Sequence, residues 1–119
     1  MKDFRTLIVW QKAHELTLDI YELTRTFPKE ELFGLTSQIR RSSASTAANI
    51  AEGCGRDSNP DFRRFIQMAF GSLNETDYHL LLARDLEHLS EMDYSGLQDR
   101  ILEIKRMLSS LIRKVTIDI

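Results

Sequence analysis

The chain has 119 residues, 42% of them apolar and 29% charged, with a net charge of −2 and a single cysteine, Cys54. That length fits one domain spanning 1–119, which can bury a core without disulfides. A lone thiol excludes an internal disulfide, no apolar run approaches the ~20 residues of a membrane span, and the opening Met1-Lys-Asp-Phe-Arg5 lacks a signal peptide's apolar core, so a cytoplasmic protein without membrane contact is expected.

The first segment carries Val9, Ala13, Leu16, Ile20 and Leu23 at helical spacing. It predicts a helix over about 7–26, capped by Thr6 and ended by Phe27-Pro28, because a residue before proline is pushed out of the helical region.

The second segment opens with Leu32, Leu35 and Ile39, then turns small and polar at Ser42-Ser-Ala-Ser-Thr-Ala-Ala48, and closes on Ile50, Gly53 and Gly55. Serine and threonine are weak helix formers. Small side chains let a neighbouring backbone come close, so 31–54 reads as a central, tightly packed helix whose hydroxyls bond back to its own carbonyls.

The third segment runs over about 60–89, with Phe62, Phe65, Ala69, Leu73, Thr76, Leu80, Ala83 and Leu86 on one stripe. Asn59 as N-cap, Pro60 at the first helical position and Asp61 in the first turn mark its start. The fourth, about 94–116, has Leu97, Ile101, Ile104, Leu108, Leu111 and Val115 stepping by four and three, a heptad seam. Asp93 or Ser95 can cap it, and Arg113 and Lys114 fall where the helix dipole favours cations. Four helices joined by short loops predict an all-α, up-and-down antiparallel four-helix bundle.

Leu80, Leu81 and Leu82 in succession, with Ile66, Phe70, Leu102 and Ile112, widen the apolar stripe beyond a single core face. They read either as a subunit interface or as a broad core face with a few exposed leucines.

No catalytic constellation emerges, and neither a metal nor another cofactor is expected. A di-metal bundle needs paired Glu-x-x-His motifs; His14, His79 and His88 lack them, and Asp85-x-x-His88 occurs once. Cys54 has no base nearby in sequence, and Gly53-Cys-Gly55-Arg56 follows a helix rather than a strand, so its glycines read as cap and turn residues.

The basic residues Arg40, Arg41, Arg56, Arg63 and Arg64 gather around the second helix and the turn after it. They read as a positive patch for nucleic acid, or as a solvated face paired with Glu52, Asp57 and Asp61. Residues 1–64 hold ten Lys/Arg and nine Asp/Glu, and residues 65–119 hold six and nine. Gln38, Asn49, Glu52, Asn74 and Glu75 fall near the core side, where polar groups need partners; Arg41–Glu75 and Asn49–Glu52 are candidate pairs that could fix register or an interface.

The stretches Leu7-Ile-Val-Trp-Gln-Lys-Ala13, Phe27-Pro28, Phe33-Gly-Leu-Thr-Ser-Gln-Ile-Arg-Arg41, Asn49-Ile-Ala-Glu-Gly-Cys-Gly-Arg56, Ala69-Phe-Gly-Ser-Leu-Asn-Glu75 and Leu108 to Ile112 resemble the bacterial four-helix-bundle proteins encoded in intervening sequences of 23S ribosomal RNA genes. The likeness covers nearly the whole chain. That family is similar to the accessory protein of diversity-generating retroelements, a pentamer that binds nucleic acid and a reverse transcriptase. The resemblance therefore implies a homo-oligomer, a pentamer, with RNA, DNA or a reverse transcriptase as partner. It marks Gln38–Arg41 and Asn49–Arg56 as characteristic surface, for an interface or a ligand. The accessory protein is strongly basic, whereas this chain carries −2. Two functions follow: a non-enzymatic oligomeric scaffold for nucleic acid or a nucleic-acid enzyme, and a protein-interaction module with no nucleic-acid role.

Overall fold

The structure, a computed structural model, describes residues 2–118, with side chains described as far as Val115. Four helices follow in order: α1 Ile8–Thr24, α2 Leu35–Cys54, α3 Asn59–Asp85 and α4 Glu91–Asp118, with short 3-10 turns at Phe4–Thr6 and Lys29–Glu31. No strand occurs among the described residues. Each helix packs on the next, and α1 closes on α4, giving an antiparallel four-helix bundle 46 × 23 × 20 Å in extent.

The four apolar stripes meet on one axis. Ile20, Ile39, Ile50, Ile66, Leu73, Leu80, Ile101 and Leu108 are fully buried. Each such side chain contributes about 1.5–3 kcal/mol relative to exposure.

The small-residue run of α2 works as its composition suggests. Ser42, Ser43 and Thr46 are buried and donate to the carbonyls of Ile39, Arg40 and Ser42. The hydroxyls also reach other helices. Thr76 of α3 donates to Ser42 Oγ at 2.8 Å, Ser45 and Ser72 Oγ lie 3.0 Å apart, and Thr17 of α1 donates to the Ser43 carbonyl at 3.1 Å. Gly53 shows how close the backbones come. A Cβ built there would lie 3.0 Å from Phe65 Cβ and 3.4 Å from the Phe62 carbonyl oxygen.

The helix ends depart from the sequence reading in physically informative ways. Thr6 does not cap α1; it sits in the preceding 3-10 turn and donates its hydroxyl to the Asp3 carbonyl. α2 starts at Leu35 rather than 31, because Lys29–Glu31 turn as a separate 3-10 segment and Gly34 breaks the chain at φ −115°, ψ −113°. Ser58, not Asn59, caps α3, its Oγ accepting from the Asp61 N–H at 3.3 Å. Ser90 takes the corresponding role for α4, accepting from the Asp93 N–H at 3.1 Å. α3 ends at Asp85, before the expected 89. Glu87 adopts φ 66°, so its N–H donates to the Arg84 carbonyl and the His88 N–H to that of Ala83, a Schellman closure without glycine. α4 continues to Asp118, which leaves Arg113 and Lys114 short of its last turn.

The surplus apolar residues mostly enter the core. Leu80 and Ile66 are fully buried; Leu81, Leu82, Phe70 and Ile112 are half-buried; only Leu102 is exposed. The apolar surface left open lies elsewhere, with Phe33 93% and Met92 84% exposed at the end where α2 and α4 begin.

Candidate nucleic-acid interface

Antiparallel helices bring the two ends of the bundle together from distant parts of the chain. One end gathers the start of α1, the end of α2, the start of α3 and the end of α4. Two helix N-termini and two C-termini meet there, so the macrodipoles cancel in pairs and side chains set the sign of the field. The half of the bundle at that end, residues 2–16, 45–72 and 105–118, carries ten Lys/Arg and six Asp/Glu. The other half, residues 17–44 and 73–104, carries six Lys/Arg and twelve Asp/Glu. A chain of net charge −2 is thus divided into a +4 end and a −6 end.

Arg56, Arg63 and Arg64 belong to the basic end. Arg56 lies 3.5 Å from Asp61 Oδ2 and Arg64 3.7 Å from Asp61 Oδ1, so one carboxylate serves two guanidiniums. Both guanidiniums also lie over the Phe65 ring, at 5.2 and 4.6 Å from its centroid. Exposed ion pairs of this kind hold little energy, about 0–1 kcal/mol, so the arginines stay available to a phosphate. Arg63 is half-buried beside them on the first turns of α3.

Arg40 and Arg41 are elsewhere. Along α2 they stand roughly 20 Å from Arg56, in the acidic half. Arg40 reaches α1: its Nε donates to Thr24 Oγ1 at 2.9 Å, and its guanidinium stacks 4.9 Å from the Tyr21 centroid. Arg41 donates to Gln38 Oε1 at 3.0 Å and pairs with Glu75 Oε2 of α3. The five arginines therefore form two groups with different surroundings.

The polar residues placed near the core divide similarly. Glu75 is half-buried and pairs with Arg41, with His79 Nδ1 4.0 Å from the same oxygen. That is within ion-pair reach but beyond a hydrogen bond, and Nδ1 has no hydrogen-bond partner. Burial pushes the His79 pKa down; Glu75 opposes the shift and Arg41 adds to it. Asn49 does not pair with Glu52. Its amide donates to the carbonyl and the hydroxyl of Ser45 instead. Gln38, Glu52 and Asn74 are exposed. Each stands next in sequence to a core-side residue or backbone contact, and a step of one residue turns about 100° around the helix, out of the buried face.

A half-enclosed cavity of about 200 Å³ opens on the basic end, which the sequence did not disclose. Lys2, Arg56, Asp57, Ser58, Asn59 and Lys114 form its rim, and Gly53, Cys54, Phe62, Leu111 and Val115 its floor. The Lys2 N–H donates to the Cys54 carbonyl at 3.3 Å, fixing the N-terminal segment against the end of α2. The Cys54 thiol is 3% exposed, and burial pushes its pKa up, with Lys2 pulling the other way. His14 stacks on Trp10 and His88 contacts Glu31, so the histidines are dispersed. Among the described residues no group of three metal-ligating side chains forms, and no helix is long and apolar enough to cross a membrane.

The family described as 23S rRNA-intervening sequence protein matches residues 5–110. A solved structure of a protein with unknown function from the S23 ribosomal protein family of Bacteroides thetaiotaomicron VPI-5482 superposes with a TM-score of 0.80 at 30% identity, covering 88% of this chain and 98% of that one. No curated protein matches the chain.

Proposed function

From the premise that the chain belongs to the 23S rRNA-intervening sequence protein family, we propose that it is a non-enzymatic, oligomeric four-helix scaffold that binds nucleic acid through the basic end of the bundle. The observation that carries this reading is the division of charge between the ends, ten cations against six anions at one and six against twelve at the other. Net charge is a poor guide when unlike charges gather toward opposite ends of a bundle 46 Å long, even though the Lys12–Glu103 and Lys105–Asp77 pairs bridge its middle. The ends themselves lie several times the ~10 Å Debye length at 0.1 M salt apart. A polyanion meets the basic end while the acidic end points away from it.

Arg56, Arg63 and Arg64 are the phosphate contacts in this reading; Arg40 and Arg41 hold α2 against α1 and α3. Self-association, a pentamer by the family resemblance, would present several basic ends together and sum their fields. The exposed Phe33 and Met92 are apolar surface that association could cover.

Binding of structured RNA by the purified chain at low salt, weakening linearly as log salt rises, is the expected result. Absence of binding at low salt overturns the reading. Light scattering gives the assembly: a particle of 13.8 kDa at micromolar concentration overturns self-association.

A second reading, a protein-interaction module, is favoured by the acidic end with its exposed Phe33 and Met92. A protein partner recovered after nuclease treatment would support it. Loss of that partner with nuclease would return the advantage to the first.

A further inference from the structure

We propose that the cavity at the basic end is a binding site for a phosphate monoester, such as the 5′-terminal phosphate of a nucleic acid. This rests on the nucleic-acid reading for the source of the ligand, but not for the chemistry of the site.

Three cations reach the rim from three separate parts of the chain: Lys2 from the N-terminal segment, Arg56 from the turn after α2, and Lys114 from α4. Among the described residues neither lysine has an ion-pair partner, while Arg56 shares Asp61 with Arg64. Among the described residues that line the cavity Asp57 is the one acid, against three cations. The α3 N-terminus adds little. Pro60 has no N–H and the Asp61 N–H is taken by Ser58, which leaves the Asn59 N–H as a donor beside the cations.

The shape narrows the ligand class. The floor is closed by Cys54, Phe62 and Val115 from three different helices. A phosphodiester inside a strand carries chain on both sides, whereas a half-enclosed recess closed below by that floor suits a group that ends the strand. A terminal phosphate enters by its free end. As a monoester it carries about −1.5 to −2 charges at pH 7 and three acceptor oxygens, which suits three converging cations better than a singly charged diester does. The volume of about 200 Å³ is ample for a phosphate group.

The test uses the full chain with three probes: a 5′-phosphorylated oligoribonucleotide, the same oligonucleotide with a 5′-hydroxyl, and pyrophosphate. Binding is followed by amide NMR shifts, with Gly53, Cys54, Ser58 and Asn59 as reporters. The expected result is about tenfold tighter binding of the 5′-phosphorylated strand, the scale of a charge-assisted contact. Shifts at the four reporters should accompany it, and Lys2→Gln with Lys114→Gln should remove the preference while the strand still binds. Equal affinity for both strands, with the reporters unmoved by all three probes, overturns the phosphate site and leaves the nucleic-acid reading standing. Reporter shifts with pyrophosphate, when neither strand binds, uphold the site for a small phosphate ester and overturn the nucleic-acid reading.

Discussion

Thr76 of α3 donates its hydroxyl to Ser42 Oγ of α2 at 2.8 Å, and both side chains are completely buried. Ser42 passes the chain on by donating to the Ile39 carbonyl at 3.2 Å. The contact joins the two most closely packed helices at a point where neither can supply a large apolar side chain. Thr76→Val keeps the shape and removes the donor. Because Ser42 retains its own backbone acceptor, the cost should be about 1 kcal/mol by chemical denaturation. Ser42→Val inserts bulk into the same contact and should cost more, about 1–3 kcal/mol. Equal losses would mean that the hydrogen bond and not the close approach matters.

Gly53 and Gly71 are both helical, and alanine should act on them with opposite sign. At Gly71 an added Cβ meets nothing within 4 Å, so Gly71→Ala should gain about 0.5–1 kcal/mol from reduced backbone freedom. At Gly53 the added Cβ comes to 3.0 Å from Phe65 Cβ, an atom fixed to the α3 backbone. The helices must separate there, and Gly53→Ala should lose about 1–3 kcal/mol. Thermal melts of the two variants check the sign directly.

The bundle was legible because apolar periodicity records burial, and each stripe predicted from sequence faces the core over most of its length; Leu32 and Leu86, at the outer ends of theirs, are exposed. The helix ends were less legible, because caps depend on which of several polar residues the backbone reaches. Ser58 and Asn59 are both good caps, and only geometry selects Ser58. The end of α3 was missed because its C′ residue is Glu87 rather than glycine, at φ 66°. The basic end was hidden for a topological reason. Dividing the sequence into 1–64 and 65–119 gives halves of +1 and −3, whereas folding antiparallel helices gives ends of +4 and −6. The cavity was illegible because Lys2, Arg56 and Lys114 are far apart in sequence.

Glu87 offers a test of that helix end. A non-glycine residue in the left-handed region bears a steric cost of about 1–2 kcal/mol. The two N–H groups that close the motif come from Glu87 and His88 and do not depend on the Glu87 side chain. Glu87→Gly should therefore raise stability by about 1 kcal/mol, less the added freedom of the unfolded chain. A destabilised variant would show that the Glu87 carboxylate has a structural role of its own.

His79 links stability to pH. Burial holds its folded pKa below the ordinary 6.5, so between those two values the unfolded chain binds more protons. Its contribution is complete above 6.5 and is lost as pH falls toward the folded value. The melting temperature should decline on acidification through that window, and less so in His79→Gln. The neighbours can be separated by NMR titration. Arg41→Met removes a nearby cation and should raise the His79 pKa; Glu75→Gln removes an anion and should lower it. A His79 pKa that moves in neither variant would mean that burial alone sets it.

The charge division makes a prediction that net charge alone does not. Arg64→Glu and Arg25→Glu change the total charge by the same amount. Arg64 lies at the basic end over Phe65, and Arg25 follows α1 at the acidic end, exposed and paired with Glu22. α3 alone separates the two ends by roughly 40 Å at 1.5 Å per residue, well beyond the ~10 Å Debye length. If nucleic acid meets the basic end, Arg64→Glu should weaken binding several-fold at low salt and reduce the salt slope by about one phosphate contact. Arg25→Glu should leave both unchanged. Equal losses in the two variants would mean that the ligand responds to overall charge, and the basic end would lose its standing as the interface. A loss confined to Arg25→Glu would place the interface at the opposite end of the bundle.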